Sequence, residues 1–139
     1  MTRRRIFGLL SLLASLGLAN GCSEMSCTEA ACADSLTIDL SEPIDVKQSV
    51  TLELDVEGTF ESCEVSSFST RCGAAELSIQ DGKLTSLSFW GSPDEVRVHV
   101  FRADENVVDH TFSNIEYSSF YANGPECDDD ACHSAQLDL

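Results

Sequence analysis

An all-β fold is what this sequence predicts: a single antiparallel two-sheet β-sandwich of about eight strands, Ig-like or prealbumin-like, stapled by disulfides. Three observations predict it. Apolar and polar residues alternate with a period of two through most of the chain after residue 34. Turn signals recur at short intervals, and no window beyond the first 21 residues carries a helical stripe. Only an extended chain sends successive side chains to opposite faces, so this period marks strands with one buried side.

The strands follow in order. Leu36, Ile38 and Leu40 alternate with polar neighbours in the first. Val50, Leu52, Leu54 and Val56 alternate with Thr51, Glu53, Asp55 and Glu57 in the second, the clearest element of the chain. Further strands are expected over 62–69, 76–80, 83–90, 95–102, 107–112, 115–122 and 134–139. Asp81-Gly82 is a hairpin signal between two of these runs. Trp90-Gly91-Ser92-Pro93-Asp94 is a turn that leads into Val96, Val98 and Val100 on one face, and Asn123-Gly124-Pro125 is another.

The first 21 residues are of a different kind. Arg3, Arg4 and Arg5 precede an apolar run from Ile6 to Leu18, too short to span a bilayer core of about 30 Å. Ala19 and Gly21 place small residues where a leader peptidase inspects them, so 1–21 is expected to be a cleaved signal peptide. Residues 22–34 are short and polar and are expected to form a tether; 35–139 form the domain. The segment Leu18-Ala19-Asn20-Gly21-Cys22 resembles the bacterial lipobox, which implies that Cys22 receives a diacylglyceryl group on its sulfur. The ordinary leader peptidase would cut the same bond and leave Cys22 unmodified. Thr2-Arg3-Arg4-Arg5-Ile6-Phe7 loosely resembles a twin-arginine signal, but disulfides that form after transport favour the route for unfolded chains.

Seven cysteines in 139 residues also point to export, because no C-x-x-C metal spacing is present and secretion oxidises thiols. With Cys22 acylated, the other six, Cys27, Cys32, Cys63, Cys72, Cys127 and Cys132, form an even set that can pair completely. Local pairing is expected: Cys27 with Cys32, Cys63 with Cys72, and Cys127 with Cys132. The competing scheme joins the two ends, Cys27 or Cys32 to Cys127 or Cys132.

Eight basic and 24 acidic residues give a net charge of −16, and loss of the three leader arginines takes it to −19. So acidic a surface repels phosphate backbones, and nucleic acid is excluded as a partner. Glu126, Asp128, Asp129 and Asp130 crowd one loop, and calcium favours such oxygen ligands. The loop lacks the alternating spacing and glycine of an EF-hand, so no metal is assigned and a solvated turn is expected. His99 and His110 lie on neighbouring strands. An odd-length connection around 104–106 pairs Val98 with Phe112 and Val100 with His110 and keeps the apolar face continuous, so no histidine pair is expected. His133 is given no metal role either. There is no Gly-x-Ser-x-Gly elbow, His-Glu-x-x-His or phosphate-cradling glycine loop, so neither catalysis nor a cofactor is expected. Among the aromatics, Trp90, at a strand end, is the least readily explained by the core.

The tail Tyr117-x-x-x-Tyr121-x-Asn123-Gly124-Pro125-x-Cys127-x4-Cys132-x-x-Ala135-x-Leu137, together with the leader, is similar to small cysteine-rich bacterial lipoproteins of unknown function. The resemblance covers about twenty residues of the tail, implies an exported β-domain and carries over no catalytic residue. The expected function is a non-enzymatic binding or structural β-sandwich of the cell envelope. It would be held at the outer membrane or in the periplasm by an N-terminal lipid anchor, or secreted if unacylated, with a protein or glycan partner. The alternatives are a secreted hydrolase or enzyme accessory subunit, and a calcium-dependent adhesion module.

Overall fold

Alternation of apolar and polar residues is satisfied by two sheets that share one core. The computed structural model describes residues 32–128 and 130–139, and among them there are ten strands and no helix. They are β1 (Ser35–Asp45), β2 (Val50–Val56), β3 (Thr59–Val65), β4 (Arg71–Cys72), β5 (Ala75–Gln80), β6 (Lys83–Trp90), β7 (Glu95–Arg102), β8 (Glu105–Ser113), β9 (Ser118–Phe120) and β10 (Cys132–Asp138). One sheet has the order β4-β5-β6-β1-β10-β9 and the other β3-β2-β7-β8. Leu36 and Ile38 of β1 and Leu84, Leu87 and Phe89 of β6 face Leu52 and Leu54 of β2 and Val96, Val98 and Val100 of β7 in a single buried cluster. Each fully buried Leu or Val of this kind stabilises the fold by about 1.5–3 kcal/mol.

Two tight hairpins carry the chain between neighbours. Glu57-Gly58 joins β2 to β3 and Asp81-Gly82 joins β5 to β6, with positive φ at both residues of each turn: 50° and 82°, then 53° and 73°. That geometry matches the right-handed twist of the strands it connects. The expected 62–69 strand therefore begins earlier, at Thr59, and ends at Val65. Of the 115–122 run only Ser118–Phe120 is strand, while Ile115 and Tyr117 pack against the core from the preceding loop.

The expectation of a purely antiparallel arrangement is corrected in one pair. β1 and β10 run parallel, with Ser35 opposite Ser134 and Ile38 opposite Leu137. Period two reports which face a residue occupies and says nothing of which strand lies beside it. This pairing also corrects the local disulfide scheme. Parallel strands start at the same end, so the residue three before Ser35 meets the one two before Ser134, and Cys32 bonds Cys132 with Cα atoms 5.4 Å apart. The Cys27–Cys32 and Cys127–Cys132 pairs are thereby excluded, and the end-joining scheme holds at this bond. Cys63 bonds Cys72 as expected, at 5.7 Å between Cα atoms. Cys127 is also disulfide-bonded. Cys22, Cys27 and residues 1–21, the expected signal peptide, lie outside the described residues, as does Asp129. Disulfides of this kind are compatible with an exported protein.

The β7–β8 register differs from the sequence expectation by two residues. Val98 lies opposite His110, Val96 opposite Phe112 and His99 opposite Asp109. A two-residue turn at Ala103-Asp104 is followed by an irregularity that leaves Val107 unpaired between Asn106 and Val108. The extra residue restores the apolar parity that the short turn would otherwise reverse. His99 and His110 consequently point to opposite faces of the sheet.

Candidate binding face

The inward positions of the six-stranded sheet are filled by Leu36, Ile38, Leu87 and Phe89, with Ala135 and Leu137 packed beside them. The alternate positions on the same strands are polar: the hydroxyls of Ser35, Thr37, Ser86, Ser88 and Ser134 stand among Asp39, Trp90, Gln136 and Asp138. Across the sheet Ser118 of β9 lies opposite Ser134 of β10, which lies opposite Ser35 of β1, which lies opposite Trp90 of β6. The next row runs from Gln136 through Thr37 and Ser88 to Glu76, and the one after it from Asp138 through Asp39 and Ser86 to Ser78. Short side chains leave the face low, and a groove of about 530 Å³ opens over Ser35, Thr37, Ser118, Ser134 and Gln136, with Glu116 at its edge.

Hydrogen bonds order this surface. Gln136 Nε2 donates to Asp39 Oδ2 at 2.6 Å, Thr37 and Ser88 hydroxyls lie 3.5 Å apart, and Trp90 Nε1 donates to Glu76 Oε1 at 3.3 Å. Trp90 is 67 % exposed in spite of that bond. A hydroxyl both donates and accepts, so the face can match a ligand that does the same.

Several charged groups elsewhere are held in structural contacts. Asp34 accepts the backbone N–H of His133 at 2.7 Å and the hydroxyl of Ser92 at 3.1 Å. The His133 amide, more than any other group, holds the Asp34 carboxyl below the usual range. On the outer side of the four-stranded sheet, Arg97 grips Asp109 through Nε and Nη2, both at 2.9 Å, and this guanidinium lowers the Asp109 pKa. His99 Nδ1 sits 3.1 Å from Glu53 Oε2. In the acidic loop Asp128 accepts from the backbone N–H and side-chain amide of Asn123, at 2.9 and 2.8 Å, which lowers its pKa. Among the described residues no group of three or more His, Cys, Asp and Glu is placed to hold a metal ion. The Tyr117 hydroxyl donates to Pro93 O at 2.7 Å, and burial pushes its pKa up to about 12.

Sequence reasoning did not find the hydroxyl face. Its signal was present, since the polar partners at 35, 37, 86, 88, 118 and 134 are Ser and Thr rather than the charged residues common on exposed strands. Their assembly into rows depends on strand order, including the parallel pair. The chain matches no known family model, no curated protein and no solved structure.

Proposed function

We propose that this protein is an exported lipoprotein of the bacterial cell envelope whose β-sandwich binds a partner and performs no chemistry of its own. The observation that carries the reading is the outer face of the six-stranded sheet, where hydroxyls, an amide and carboxylates surround a groove and an exposed tryptophan, Trp90, stands on the same face beyond it. Support for a non-catalytic role comes from the sequence, which carries no Gly-x-Ser-x-Gly elbow, His-Glu-x-x-His or phosphate-cradling glycine loop.

The anchor in this reading is Cys22, with a diacylglyceryl group on sulfur and an amide-linked chain, because stable attachment needs more than one chain. Ser23 after it favours the outer membrane. Within the two-sheet class we assign a prealbumin-like rather than an Ig-like arrangement. In the Ig order the first two strands share a sheet, whereas here β1 and β2 belong to opposite ones.

Detergent phase partitioning and intact mass test the proposal. The mature protein is expected in the detergent phase with a mass increased by its acyl chains, and Cys22→Ser is expected to move to the aqueous phase. An unmodified Cys22 terminus found wholly in the aqueous phase overturns the anchor.

A further inference from the structure

We infer that the outer face of the six-stranded sheet binds a neutral polysaccharide, laid across the strands from the Ser118 edge to Trp90. The inference rests on the reading of this face as the binding surface and names its ligand class.

Its chemistry selects the class. A sugar ring presents hydroxyls that donate and accept around its rim and C–H groups on its faces. The rim finds complementary partners in Ser118, Ser134, Ser35 and Thr37, which also donate and accept, and in the Gln136 amide. The C–H face needs a flat apolar platform of negative π-density, and Trp90 supplies one at the end of the same row. Its indole Nε1 donates to Glu76 Oε1 at 3.3 Å, which favours one orientation of the ring. A preset platform reduces the ordering cost of binding.

Size and charge narrow the class further. Ser118 and Trp90 are separated by three strand spacings, about 14 Å, which suits a run of sugars rather than a single ring. Four carboxylates, Asp39, Glu76, Glu116 and Asp138, border the path, while Arg71 beside Glu76 and Lys83 at the far end of β6 are the cations on the strands of this sheet. On a chain of net charge −16 this arrangement disfavours uronic-acid and phosphorylated polymers. An extended peptide would be drawn instead to an unpaired sheet edge, where backbone groups are free, and not to the face.

Trp90 is the sole tryptophan of the chain, so its fluorescence reports on this face alone. The mature protein is run by affinity electrophoresis through gels containing laminarin, galactomannan, arabinoxylan or hydroxyethylcellulose, with polygalacturonate as the anionic control, and retarding polymers are titrated against Trp90 emission. At least one neutral polymer is expected to retard the protein and blue-shift the emission. Trp90→Ala and Ser118→Arg are each expected to weaken retardation at least tenfold, while Phe68→Ala, at a 93 % exposed loop residue away from the face, leaves it unchanged. Retardation by none of the neutral polymers overturns the inference, as does retardation that survives both substitutions or is stronger with polygalacturonate. Phase partitioning of the same preparation is scored separately, so loss of the glycan leaves the envelope reading standing on its own test.

Discussion

At Gly73 the backbone takes a φ of +53°, and a Cβ built there would coincide with the carboxylate of Glu61, whose Oε2 accepts the Ala74 N–H at 2.8 Å. Gly73→Ala must adopt left-handed backbone and displace that carboxylate. It is expected to cost about 1–2 kcal/mol, read as a fall of several degrees in the thermal midpoint. Tyr117 gives a prediction on the alkaline side. Its folded pKa, near 12, stands above the unfolded value of 10.0, so the fold favours the neutral phenol. The resulting stability is fully present below pH 10 and is lost as pH rises from 10 to 12. Ultraviolet titration of tyrosinate should show a component near pH 12 that is absent from Tyr117→Phe, and the variant's melting point should fall less steeply over that interval. Asp34, Asp109 and Asp128 act in the opposite sense. Their folded pKa values lie below the ordinary 3.8, so their contribution is present above that pH and fades as pH falls through the folded values. Asp34→Asn is expected to flatten the acid limb of a stability-against-pH curve, and an unchanged acid limb would count against the His133 contact.

Elements differ in how plainly the sequence announces them. β2 is legible because Val50, Leu52 and Leu54 alternate with polar residues without a break, and all three are buried. Leu52→Ala in this central strand is expected to cost about 3 kcal/mol by denaturant titration, since it removes buried methyl groups and leaves a cavity. The start of β3 was hidden because its turn is Glu57-Gly58, and glutamate is a weak signal for a left-handed position that Asn or Asp more commonly fills. The register of β8 was hidden for another reason. Parity of the apolar residues correctly separates His99 from His110, but parity is unchanged by a shift of two, and the irregularity at Val107 has no sequence mark. The β3–β4 staple belongs to this scale as well. Cys63→Ser with Cys72→Ser opens a loop of sequence separation 9, and the chain-entropy account gives a loss of about 2–3 kcal/mol.

In the molecule as a whole, the division into two sheets around one core was open to reading, because period two assigns each residue to the inside or the outside. Strand order was not. The parallel β1–β10 pair joins residues about a hundred positions apart, and nothing in either strand names the other. The hydroxyl face shares that history, since Ser35, Ser118 and Ser134 become one row only through this pair. Non-reducing peptide mapping should recover a peptide containing Cys32 linked to one containing Cys132; a Cys127–Cys132 link would contradict the parallel pairing. The same bond fixes how the domain responds to tension. A pull between Cys32 itself and the C-terminus passes through the Cys32–Cys132 bond into β10, so the covalent load path bypasses residues 33–126. The oxidised domain should yield only the length of β10 in a single-molecule stretch, whereas reduction releases a further extension on the order of 300 Å.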